Sequence, residues 1–133
     1  MGLGLGNVPC ADGDGERRAS PTCPFPTGVL AISLIDSNGL VTGSRDGTAV
    51  RWARGDTGLS QEVVYEGHTQ WVTATCLDGS GSLFTGSTDT TVRRWDLVTG
   101  RVLAIYKPGR SKFDEVTSLC VAGGYLYAGS REA

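Results

Sequence analysis

One interval governs this chain: Gly43-Ser44-Arg45-Asp46 returns as Gly86-Ser87-Thr88-Asp89 and again as Gly129-Ser130-Arg131-Glu132, each step 43 residues long. Leu40, Leu83 and Leu126 keep the same interval, as do Thr48 and Thr91, Arg51 and Arg94, and Trp52 and Trp95. A fixed period of this size marks an array of like units, each too small to bury its own apolar face and therefore stacked on its neighbours.

Within a unit the pattern is strand, turn, strand, turn. Alternating apolar and small polar residues predict strands at 29–34, 40–43, 48–53 and 62–65 in the first unit, and at 72–77, 83–86, 91–97 and 102–106 in the second. The third gives 116–121 and 125–129. Asp36-Ser37-Asn38-Gly39, Asp78-Gly79-Ser80-Gly81 and Ala122-Gly123-Gly124 supply the residues that tight turns need. Residues 1–28 differ in kind. Rich in Gly, Pro, Asp and Arg and poor in large apolar groups, they cannot offset the entropy of ordering and read as a flexible tail.

Composition narrows the function classes. The formal net charge of −2 gives no broad positive field, so nucleic acid is not favoured as a partner. No segment is long and apolar enough to span a bilayer as a helix, and Gly2 to Val8 lacks the basic flank of a signal peptide. Cys10, Cys23, Cys76 and Cys120 form no Cys-x-x-Cys pair, which favours an intracellular, reducing setting, the cytoplasm or the nucleus. Cys76 and Cys120 occupy matching places in adjacent units and are expected to be small buried core residues, too far apart to bridge.

Gly67-His68, Gly86-Ser87-Thr88-Asp89 and Val92-Arg93-Arg94-Trp95-Asp96 together resemble one repeat of the WD-repeat propellers. The resemblance implies an all-β fold: a partial β-propeller of about 2.5 four-stranded antiparallel blades, at 29–66, 67–109 and an incomplete 110–133. It further implies a buried tetrad of His68, Ser87, Asp89 and Trp95 in the second blade. An imidazole, a hydroxyl, a carboxylate and an indole N–H can satisfy one another in sequence, as buried polar groups must. The first blade keeps Ser44, Asp46 and Trp52 but has Pro24-Phe25 where Gly-His falls, and Ala53 where the family has Asp. The third keeps Ser130 with Glu132 in place of Asp, and Arg110-Ser111 where Gly-His falls. Both are expected to be less firmly latched. Arg51 and Arg94 precede each Trp where the family often has an aliphatic residue, so their stems are expected to pack while the guanidinium reaches water.

The resemblance also places the loops entering each blade and the turns between second and third strands on one side. That candidate partner face holds Arg45, Thr69, Gln70, Trp71, Thr88, Arg110, Lys112 and Phe113, and Trp and Arg are frequent interface anchors. Trp71 could equally pack against the neighbouring blade. His68, Ser87 and Asp89 have the side-chain types of a hydrolase triad, but no nucleophile elbow accompanies them, so no catalytic residue is assigned. Asp12 to Glu16 lacks the later ligands of a calcium loop, Cys10 and Cys23 have no nearby His for zinc, and Gly2-x-Gly4-x-Gly6 follows no strand. No metal or cofactor is expected.

The function that follows is a non-enzymatic scaffold or adaptor binding other proteins. The alternatives are a ubiquitin-ligase substrate receptor, weakened because Trp95-Asp96-Leu97-Val98 lacks the usual Arg, an RNA-associated assembly subunit and, more remotely, a hydrolase using His68, Ser87 and Asp89. Closed propellers use roughly 4 to 8 blades. The repeat region is therefore expected to be part of a longer propeller or to assemble with further blades, and to be poorly soluble alone.

Overall fold

The computed structural model describes residues 28–108 and 114–131. All of the expected tail but Gly28, the acidic Asp12 to Glu16 stretch, Cys10, Cys23, Arg110, Lys112, Phe113 and Glu132 lie outside the described residues.

The described chain is all-β. Two residue classes build its first strands: β-branched and aromatic side chains that pack on a pleated face, and small residues that let neighbouring sheets approach. Strands β1 (Val29–Asp36), β2 (Gly39–Ser44), β3 (Ala49–Gly55) and β4 (Gly58–Tyr65) pair in sequence order as one antiparallel sheet. A second sheet repeats the order with β5 (Val72–Leu77), β6 (Ser82–Ser87), β7 (Val92–Asp96) and β8 (Val102–Tyr106). A hairpin of β9 (Glu115–Ala122) and β10 (Tyr125–Arg131) forms a third. This is the architecture of a partial β-propeller: two four-stranded blades and the inner half of another.

Strand β4 starts earlier than its apolar pattern suggests. It pairs back to Gly55↔Gly58 around a two-residue turn at Asp56 and Thr57, with Gly58 at φ 124°, a conformation open to glycine. Backbone pairing extends this strand where no apolar residue marks it.

The second strand of each full sheet is buried along its whole length, because a neighbouring blade covers one face and the third strand pairs with its edge. The joints between blades use glycine. A Cβ on Gly43 would lie 2.6 Å from Val72 Cγ1, and one on Gly86 would lie 2.5 Å from Val116 Cγ1. Polar bonds stitch the same joints: Ser33 Oγ donates to the Thr75 carbonyl at 2.9 Å, and Thr73 Oγ1 donates to the Val116 carbonyl at 2.5 Å. Farther out, the Tyr65 hydroxyl donates to the Leu97 carbonyl of the second sheet, and burial pushes this phenol up to about 12.

The core follows from these joints. Val41, Ala49, Tyr65, Leu83 and Trp95 form a cluster spanning the first and second sheets, and Phe84, Val92 and Val116 form one spanning the second and third. The expectation of buried cysteines is corrected here. Cys76 is half-buried beside the second cluster and Cys120 is exposed, because β9 has no later blade against its outer side among the described residues.

Candidate functional site

The register of the second sheet builds the site. Leu83 pairs with Trp95, so the two side chains share a face, and Thr85, two residues along, is the diagonal neighbour within reach of the indole. Trp95 Nε1 donates to Thr85 Oγ1 at 2.8 Å, and Thr85 Oγ1 lies 2.6 Å from His68 Nε2. His68 Nδ1 lies 2.9 Å from Asp89 Oδ2. One proton arrangement uses every atom: indole N–H to hydroxyl, hydroxyl to Nε2, and Nδ1–H to carboxylate.

This corrects the expected tetrad. The hydroxyl that links indole and imidazole is Thr85, not Ser87. Ser87 lies four residues from Leu83 along the strand, roughly 13 Å at a strand's rise per residue, and outside the reach of Trp95. Its Oγ instead accepts the Asp89 amide at 3.0 Å inside the turn. The first sheet repeats the correction: Trp52 Nε1 donates to Thr42 Oγ1 at 2.9 Å, while Ser44 Oγ donates to Asp46 Oδ1 at 2.5 Å. Thr42 and Thr85 keep the repeat interval, and that is the signal the sequence offers for them. In the third sheet the matching residue is Ala128, which offers no acceptor for an indole, and Ser130 is exposed on β10.

Asp89 anchors the loop entering the second blade. Burial alone would raise its carboxyl, but hydrogen bonds from His68 and from the Thr91 side chain and backbone outweigh it and hold the group well below the usual carboxylate range. The Thr69 amide donates to Asp89 Oδ2 at 3.1 Å, and the Thr91 amide and hydroxyl donate to Oδ1 at 2.9 and 2.5 Å. Asp46 accepts the matching bonds from Thr48, at 2.9 Å from the amide and 2.6 Å from the hydroxyl, but is itself exposed.

The loop so fixed carries part of the expected partner face. Gly47 of the first blade backs against it, since a Cβ there would lie 3.0 Å from the His68 carbonyl oxygen and 3.2 Å from that of Gln70. Arg45, from the same turn, stacks its guanidinium 4.8 Å from the Trp71 ring centroid, and Trp71 is still 45% exposed. Trp71 thus does both things expected of it: it touches the neighbouring blade and it remains on the surface. Thr88 donates its amide to the Trp71 carbonyl at 3.0 Å and its hydroxyl to Gln70 Oε1 at 3.2 Å. Arg45, Thr69, Gln70, Trp71 and Thr88 therefore lie together around one loop.

The arginines before each Trp are held more closely than expected. Arg51 Nη1 donates to the Leu97 carbonyl at 3.5 Å, with its Nε 3.3 Å from Glu62. Arg94 Nε donates to Ser82 Oγ at 3.0 Å.

Ser87 is fully buried, and both nitrogens of His68 are engaged by Thr85 and Asp89, so His68 is not paired with Ser87. Among the described residues no group of three or more His, Cys, Asp or Glu side chains could hold a metal ion. A groove of about 850 Å³ runs between the second sheet and the β9–β10 hairpin, lined by Phe84, Val92, Arg94, Tyr106, Tyr125 and Leu126 among others.

Comparison with known proteins accords with this geometry. Residues 59–96, from β4 to the end of β7, match the family described as WD domain, G-beta repeat. The chain is 37% identical over 109 residues to a guanine nucleotide-binding protein subunit beta of Arabidopsis thaliana, covering 76% of this chain and 28% of that protein. It is 34% identical over 130 residues to the protein of the same name from Oryza sativa subsp. japonica, covering 86% of this chain and 33% of that one. The chain thus spans about a third or less of these relatives. Among solved structures it resembles the computationally designed Ika4 protein, with a TM-score of 0.65 and 29% identity over 77% of this chain and 60% of that one.

Proposed function

Because the chain belongs to the WD-repeat family, we propose that it is a non-enzymatic protein-interaction scaffold, holding a partner protein on the face around Arg45, Thr69, Gln70, Trp71 and Thr88. The observation that carries this reading is Trp71, a large aromatic side chain left 45% exposed under a stacked guanidinium, on a loop pinned by Asp89. A rigid, half-exposed aromatic with an Arg beside it loses little conformational freedom on binding and has the make-up of an interface anchor. Two relatives are named as subunits of a guanine nucleotide-binding protein, which supports a place in an assembly. On cysteine usage, a reducing intracellular compartment suits it.

The test is affinity capture with the purified chain, with Trp71→Ala and with Arg45→Glu. Loss of a hot-spot side chain costs about 2 kcal/mol or more, roughly 30-fold in affinity. Capture of a specific partner is expected to fall by that much in both variants, with the urea unfolding midpoint unchanged. Undiminished capture by both would remove this face from the reading.

A further inference from the structure

The loop carrying Trp71 joins two complete four-stranded sheets, and turns of both contribute to the surface around it. The hydrogen bonds of this surface run in one sense: its acceptors are engaged from within, and its donors are left over. Asp89 takes the Thr69 amide and the amide and hydroxyl of Thr91. Asp46 Oδ1 takes the Ser44 hydroxyl and the amide and hydroxyl of Thr48. The Gly28 and Trp71 carbonyls take the amides of Arg45 and Thr88. Gln70 Oε1 takes the Thr88 hydroxyl, so the other arm of that carboxamide, its amino group, stays available as a donor.

Among the described residues no carboxylate pairs with Arg45, and no acceptor meets Trp71 Nε1. The guanidinium is nevertheless held in place. It lies over the Trp71 ring, and its stem runs past Gly28, where a Cβ would come within 3.0 Å of Arg45 Cδ. A guanidinium over an indole face keeps its N–H groups in its own plane, free to fork toward an incoming group. It is also weakly hydrated for a cation, so covering it costs little.

Resting on the reading of this face as the partner site, we propose that it takes an acidic protein segment: an Asp or Glu carboxylate pairs with the Arg45 guanidinium, and an apolar side chain beside that acid lies on the open part of the Trp71 ring. Charge and hydrogen-bond sense both select this occupant. A carboxylate fits a single guanidinium through two parallel bonds. Phosphorylated segments are met by clusters of arginines, whereas the entering loop and the two turns beside it, residues 66–71, 44–48 and 87–91, contain Arg45 and no other Arg or Lys. The Gln70 amino group and Trp71 Nε1 are then placed to donate to backbone carbonyls of the same segment.

The test pans a phage-displayed library of random peptides against the immobilised 133-residue chain. Enriched peptides are expected to carry Asp or Glu next to an apolar residue. One of them, made as a fluorescent peptide, is expected to bind roughly 10-fold more weakly when its acid is replaced by the amide. A similar loss is expected with Arg45→Gln, which keeps the stem in place, the circular dichroism matching the wild type. Panning against Arg45→Glu is expected to enrich Lys or Arg instead. Enrichment without an acid, an acid preference that survives Arg45→Glu, or tighter binding when phosphoserine replaces the acid would each overturn the proposal. Trp71→Ala separates this outcome from failure of the docking face itself. If it still weakens binding of the enriched peptides, the face stands and only the acidic partner is lost; if it does not, both are.

Discussion

The first and second sheets carry the same glycine, threonine, serine, aspartate and tryptophan at matching places, and both pair the tryptophan with the threonine. They differ in what lies beyond that pair. In the second sheet His68 continues the line from Thr85 to Asp89, and Asp89 then fixes the Thr69 amide, so strand, turn and entering loop become one network. In the first, the turn aspartate Asp46 serves its own turn and faces solvent. One imidazole converts a local turn into a tie between segments far apart in sequence.

The hardest test of this comparison removes the tryptophans. Trp95→Ala is expected to cost about 3–5 kcal/mol, toward the upper end of large-to-small core changes, because it opens a cavity beside Tyr65 and removes the indole that donates to Thr85. Trp52→Ala is expected to cost less, since Trp52 packs in a smaller cluster, with Leu40, Val50 and Leu59. Equal losses in urea denaturation would break the distinction.

Removing only the linking hydroxyl sharpens it. Thr85→Val deprives a buried indole and a buried imidazole of their partner, at about 1–3 kcal/mol, whereas Thr42→Val deprives one indole, at about 1 kcal/mol. The difference between the two unfolding free energies measures the latch. If Ser87 were the true link, Ser87→Ala would show the larger loss instead.

Acid provides a third comparison. The carboxyl of Asp89 titrates below its unfolded value, so its contribution is complete above about pH 4 and is lost as the pH falls toward its folded value, the unfolded chain binding the proton first. Asp46 is lowered too, through its bonds from Ser44 and Thr48 against the opposing effect of burial. Asp89→Asn is expected to flatten the loss of stability below about pH 4 more than Asp46→Asn does, read as unfolding free energy against pH. Equal flattening would mean that His68 adds nothing.

The smallest expected effect lies in the turns themselves. Thr90 sits at φ 77°, where the first blade has Gly47 at φ 86°. A β-branched residue is strained there, so Thr90→Gly is expected to stabilise the chain by about 0.5–1 kcal/mol, seen as a raised midpoint of thermal unfolding. A lowered midpoint would mean that Thr90 makes a contact outweighing the strain.

Much of the fold is legible in the sequence. The ten described strands overlap the segments that the alternation marks, although β4 begins before its segment, and the period assigns them to units, because both signals come from side chains repeated along the chain. The site is legible in part. The repeat motif names His68, Asp89 and Trp95 as residues that come together, but it does not single out Thr85, since Thr85 and Ser87 both offer hydroxyls on one strand face. Choosing between them requires the pairing of Leu83 with Trp95, a relation between strands that no local pattern records.

The sequence by itself determined the period, the strand count of each unit and the aromatic and polar groups that each blade would have to bury. Tertiary structure decided which hydroxyl meets the indole, that Trp71 stacks with Arg45 and still faces solvent, and that Cys76 is half-buried while Cys120 lies open. The physical reason is reach. Strand periodicity is fixed residue by residue, but a hydrogen bond spans about 3 Å and a covered surface needs a neighbour, and both depend on where separate segments finally stand.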